Sequence, residues 1–113
     1  LSRGRKANKV ALKRMKAAQK LLEKHSALFY DEVLRALWGY VGDKFNMSQE
    51  SLNKENIAQA LVSCQVPEEQ VLQFLRVLND CEFARYAPGD VNENMENVYN
   101  SAIGAISKME DNL

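Results

Sequence analysis

The stretch that constrains this chain most is Ser26 to Phe45, SALFYDEVLRALWGYVGDKF. Wound as an α-helix, it places Tyr30, Val33, Leu34, Leu37, Trp38, Val41 and Phe45 on one side, an apolar stripe wider than a coiled-coil seam. Such a helix has to be covered by other elements. Ser26 can accept a hydrogen bond from the free N–H groups of the first turn, and Asp31 and Glu32 suit the positive helix end, so the start is set near residue 26. The opposite side carries Ala36, Gly39 and Gly42. Each glycine costs about 1 kcal/mol against alanine inside a helix, so the pair predicts close approach of another backbone or a loosened last turn.

Four further helices are expected around it. Residues 1–24, LSRGRKANKVALKRMKAAQKLLEK, are rich in good helix formers from about Ala7. Lys6, Lys9, Lys13, Lys16, Lys20 and Lys24 fall within about 80° of one another, while Ala11, Met15, Ala18 and Leu22 line up elsewhere. That apolar side is thin, so the helix is expected to dock weakly, its first turns projecting and its end near Leu21 and Leu22 packed. Asn46–Leu52 is a polar connection, and Asn53 reads as the N-cap of a third helix, about Lys54 to Cys64, stapled by Leu52 and Ile57 and burying Ile57, Leu61 and Cys64. Pro67 is placed to open a fourth helix whose stripe is Val71, Phe74, Leu75, Leu78 and Cys81, with Leu72, Phe83 and Tyr86 as a second shoulder. Ala87-Pro88-Gly89 ends it. Asp90 and Glu93 resemble a capping box before a fifth helix, which runs to about Lys108 and buries Val91, Met95, Val98, Tyr99, Ala102, Ile106 and Met109, with a frayed tail at Glu110-Asp111-Asn112. No segment alternates like a strand over more than four positions, so the fold class is all-α: a small bundle of about five helices with a basic, partly projecting first helix.

The chain has 113 residues, sufficient for one modest core, and zero formal net charge. The charges are segregated. Residues 1–24 hold nine Lys or Arg against one Glu, and residues 25–113 hold six against fourteen Asp or Glu, so the two parts carry +8 and −8. The organisation expected is a basic arm over 1–24 and a helical domain over 25–113. Such an arm meets a polyanion or folds back on its acidic body. No apolar run reaches the ~18 residues of a membrane span, and the N-terminus lacks the apolar centre of a signal peptide. The chain as given is expected to be soluble, and its start at Leu1 is read as that of a fragment or a processed product.

Catalytic chemistry finds little support in the residue types. His25 is the lone histidine and sits at a helix junction, a surface or C-capping position. Cys64 and Cys81 have no CxxC spacing and no adjacent base, so both are expected to be core thiols in a reducing compartment. No metal, cofactor or small-molecule substrate is expected, because zinc needs about four converging ligands and the glycines match no phosphate-binding pattern. Helices three and four imitate a helix-turn-helix, yet the outer face of the second carries more acid than base and would repel phosphate. The lysine stripe remains, with Arg3, Arg5, Lys6, Lys9, Lys13, Lys16 and Lys20 as contacts for an anionic membrane, an acidic protein or, in the alternative reading, nucleic acid. Arg85 and Tyr86 are the other candidates: either Phe83 and Tyr86 fold onto the core while Arg85 pairs with Glu82 or the last carbonyls of the helix, or they form a partner-binding edge.

Three blocks, FYDEVLRALWGYVGDKFNM at 29–47, LNKENI at 52–57 and LNDCEFARYAPG at 78–89, resemble the cytoplasmic C-terminal tail of the BatD aerotolerance proteins of Bacteroides and related bacteria. The opening RGRKANKVALKRMKAAQKLL is similar to the segment that follows that family's last membrane helix. The resemblance implies a fragment of an inner-membrane protein, whose signal peptide, extracytoplasmic β-rich domains and membrane span all lie outside this sequence. The basic first helix would then sit just inside the membrane, as the excess of Lys and Arg on cytoplasmic flanks requires. It further implies a non-enzymatic interaction module linked to oxygen tolerance, with von Willebrand factor A, TPR or MoxR-type AAA+ proteins as partners. It assigns no catalytic residue.

Overall fold

The apolar stripe of residues 26–45 does form the central helix, and in the computed structural model every other helix is placed by the need to cover it or its neighbours. The structure describes residues 2–84 and 91–112, and side chains over 7–84 and 95–111. Among the described residues there are five α-helices and no strand: α1 (Ser2–Glu23), α2 (Leu28–Lys44), α3 (Lys54–Ser63), α4 (Glu68–Ala84) and α5 (Val91–Asn112), with a 3-10 turn at Gln49–Ser51. The all-α expectation holds. α2 packs against α1, α4 and α5, and α1–α5 and α4–α5 contacts close a ring, so α1, α2, α4 and α5 form a four-helix bundle with α1 and α4 diagonally opposed. α3 packs chiefly on α4.

One continuous core runs through all five helices. α2 is buried nearly all round, with Phe29, Tyr30, Val33, Leu34, Ala36, Leu37, Tyr40 and Val41 inside. Trp38 and Phe45, expected on its stripe, are only partly buried at the rim, and Ala36 and Tyr40 lie inside because α1 covers the side that looked solvent-facing. At both glycines the close approach is made first by a side chain and not by another backbone. A Cβ on Gly39 would collide with Arg14 Nη1, and that nitrogen donates to the Arg35 carbonyl at 3.2 Å. On Gly42 a Cβ would meet Leu52 Cδ1 at 3.3 Å.

The first helix is where the expectation of a weakly docked, projecting arm fails. Ala7, Ala11, Met15 and Ala18 are all within 1% of full burial, and α1–α2 is the most closely packed pair in the molecule. A thin alanine ridge buries little area per residue, but it lets two backbones approach closely where larger side chains hold them apart. The helix is packed from Ala7 onward.

Helix ends follow one device three times. Ser26 N–H bonds the Leu21 carbonyl, Met47 N–H the Gly42 carbonyl and Val66 N–H the Leu61 carbonyl, at 3.0, 2.9 and 3.0 Å. Each six-to-one closure is the Schellman end, and the left-handed residue it needs is His25, Asn46 or Gln65, at φ 55°, 54° and 63°. His25 is therefore an exposed C-terminal capping residue. α2 starts at Leu28, two residues past Ser26, whose Oγ accepts from Leu28 N–H at 3.2 Å. Asn53 caps α3 as expected, its Oδ1 accepting from Asn56 N–H at 2.8 Å. Pro67 takes the capping position and not the first helical one, since its carbonyl accepts from Val71 N–H at 3.1 Å. Val77 and Ala105 are buried without having been expected so. The fifth helix does not fray at Glu110: it continues to Asn112. Its expected cap at Asp90, the Glu93 and Val91 side chains and the Ala87-Pro88-Gly89 stop lie outside the described residues.

Leu37→Ala, at the centre of the core, is expected to cost about 3 kcal/mol in urea unfolding, and Trp38→Ala at the rim clearly less. Gln65→Gly should raise stability by about 0.5–1 kcal/mol by relieving a left-handed backbone, while Gln59→Gly, inside α3, should lower it by about 1 kcal/mol.

Candidate functional site

The buried ridge of α1 fixes what its other side can do. Lys9, Lys13, Lys16 and Lys20 point directly away from Ala7, Ala11, Met15 and Ala18, because the two sets are half a turn apart by helical winding. All four are exposed, as is Lys24 just past the helix end. From Lys9 to Lys20 the row is about 17 Å long at 1.5 Å per residue. Arg14, which winding places beside the alanine ridge and not in the row, lies across Gly39. Leu12, exposed on one flank, adds an apolar edge. Among the described residues the ion pairs are Arg35–Glu32 at 3.0 Å, Lys44–Glu110 at 2.6 Å and Lys54–Glu82, so Lys9, Lys13, Lys16 and Lys20 are in none of them. The side chains of Arg3, Arg5 and Lys6 lie outside the described residues, as do Arg85 and Tyr86.

Two other polar arrangements are structural. Glu110 Oε2 accepts from Lys44 Nζ at 2.6 Å and from the Tyr40 hydroxyl, holding the last turns of α5 to the end of α2. The Lys44 ammonium also lies 5.9 Å above the Tyr40 ring. Burial first, then the hydrogen bond and the charge of Glu110, push the Tyr40 hydroxyl pKa above its ordinary value. Lys54–Glu82 ties the start of α3 to the end of α4.

The cysteines part company. Cys81 is buried, as expected, and desolvation, then Asp80 and Glu82, push its thiol up to about 12. Cys64 is exposed, against expectation. It caps α3 where the chain reverses at Gln65, and Val66 turns inward to fill the space a longer helix would have given it. The second shoulder of α4 is also corrected: Leu72 is 54% and Phe83 75% exposed, because α2, α3 and α5 together cover only the Val71–Cys81 side.

Among the described residues no three His, Cys, Asp or Glu side chains converge as metal ligands, and no helix is long and apolar enough to cross a membrane. A depression on α3 is lined by Ala58, Gln59, Val62 and Ser63, none of them titratable. Compared with protein-family models, with curated proteins and with solved structures, the chain matches none. What fold and surface define is a small all-α bundle whose most distinctive outward feature is an unpaired row of lysines.

Cys81 has a folded pKa raised from 9.0 to about 12, so the stability it contributes is complete below pH 9.0 and is lost as pH rises toward 12. Tyr40, also raised, adds to the loss above its ordinary value of 10.0. Urea midpoints should fall on that alkaline side, and Cys81→Ala should flatten the first part of the fall. In the native protein a thiol reagent should label Cys64 at once and Cys81 only on unfolding.

Proposed function

We propose that this chain is a non-enzymatic interaction module that rests against the anionic cytoplasmic face of a bacterial inner membrane and docks proteins there. One observation carries the reading: Lys9, Lys13, Lys16 and Lys20 are exposed and in none of the ion pairs among the described residues, on a helix whose other side is buried in the core, so the positive row is presented as a preformed surface. Each such lysine contributes about 1 kcal/mol near anionic lipid, which for the row gives weak, salt-sensitive attachment. Lysine suits this better than arginine, whose planar fork favours bidentate phosphate recognition. The resemblance to BatD tails supports the same reading: it sets α1 next to a membrane span and makes the rest a partner-docking unit of an aerotolerance assembly, with von Willebrand factor A, TPR or AAA+ proteins as the proposed partners.

The test compares sedimentation with vesicles of phosphatidylcholine alone and of phosphatidylcholine with phosphatidylglycerol. Binding is expected only to the second, and should be released as salt rises from about 0.1 M to about 1 M and the screening length shrinks from about 10 Å to about 3 Å. Replacing Lys13, Lys16 and Lys20 by Gln should weaken it about 100-fold with helical content unchanged. Tight binding to a DNA duplex without vesicle binding would instead establish the nucleic-acid reading.

A further inference from the structure

The lysine face has a counterpart of different chemistry across the bundle. Leu72 and Phe83 are 54% and 75% exposed on α4, with exposed Arg76 and Asn79 between them. Steps of four, three and four residues put these side chains on one line about 17 Å long. The line is opposite the Phe74 and Cys81 side that enters the core. Glu68, Glu69 and Asp80 flank it, all exposed, and among the described residues none of them is in an ion pair. Because α1 and α4 are diagonal in the ring, this ridge looks away from the lysine face.

We infer that the α4 ridge is the docking surface for a basic amphipathic helix of a partner protein. The spacing is that of a heptad seam, with apolar anchors at both ends and polar residues in the middle, and a helix laid along it covers both anchors at once. Charge complementarity decides the partner's composition. Three acids flank the line, within a body of net charge −8 over residues 25–113, so the partner's flanks are cationic. Arg76 needs an acceptor at the centre, so one carboxylate there fixes the register, as a single polar residue does in a coiled-coil seam. A second copy of the chain fits worse. It brings the same acidic flanks, and pairing through α4 points the two lysine rows in opposite directions, so that both cannot lie on one membrane. That exclusion rests on the membrane reading above.

The experiment uses the full chain in solution, without vesicles, so that its failure and that of the membrane reading are separable. Two labelled helical peptides carry leucines at the seam spacing and lysine flanks, one with glutamate and one with lysine at the centre. By fluorescence anisotropy the glutamate-centred peptide should bind about fivefold tighter, as an exposed ion pair gives. Arg76→Glu should invert that order, and Phe83→Glu should weaken both by about tenfold or more as an anchor is lost. Both side chains are exposed, so circular dichroism should be unchanged. The inference is overturned if neither peptide binds, or if both bind alike and Phe83→Glu has no effect. It is also overturned if ultracentrifugation shows a dimer that Phe83→Glu dissolves, which makes a second copy the occupant.

Discussion

The rest of this structure depends on the contact between α1 and α2. A helix made largely of alanine and lysine has almost no hydrophobic area to offer, and by burial alone it is a poor packing partner. What it offers is smallness. Ala7, Ala11 and Ala18 on one side and Ala36 on the other are buried, and side chains that small let two packed backbones come close enough for many weak dispersion contacts to accumulate. Arg14 lies across Gly39 and bonds the Arg35 carbonyl. Once α1 is held this way its rotation is set, and the direction of every lysine on it follows.

That rotation was half legible in the sequence. The winding that grouped Ala11, Met15 and Ala18 was right, and so were the central helix, the Asn53 cap and most of the α4 and α5 stripes, because those rest on local periodicity. What could not be read was depth. Alanine's small area suggested weak docking, since hydrophobic size says nothing of how closely a glycine-bearing neighbour can come. Cys64 failed for a related reason. It lies on the line of Ile57 and Leu61, but the chain reverses one residue later at a left-handed Gln65, a conformation that a glutamine does not advertise. Leu72 and Phe83 looked like a second buried shoulder because periodicity counts apolar residues and not the neighbours available to cover them.

The candidate site was legible in its residues and not in its setting. Spacing alone grouped the lysines, but whether the acidic body would neutralise them depended on tertiary placement. Among the described residues Glu110 pairs with Lys44 and Tyr40, Glu82 with Lys54 and Glu32 with Arg35. The first two of these hold helices together, and Lys9, Lys13, Lys16 and Lys20 are left exposed. A polarised surface emerges from a chain whose composition is balanced.

That balance has a physical consequence. A molecule with no net charge feels little pull from a distant anionic surface, so its approach is diffusive. Its separated charges nevertheless make a large dipole, and a field gradient within the screening length exerts a torque on it before any contact forms. Any anionic surface such a bundle met would therefore turn it first and capture it second, without the indiscriminate stickiness of a cationic protein.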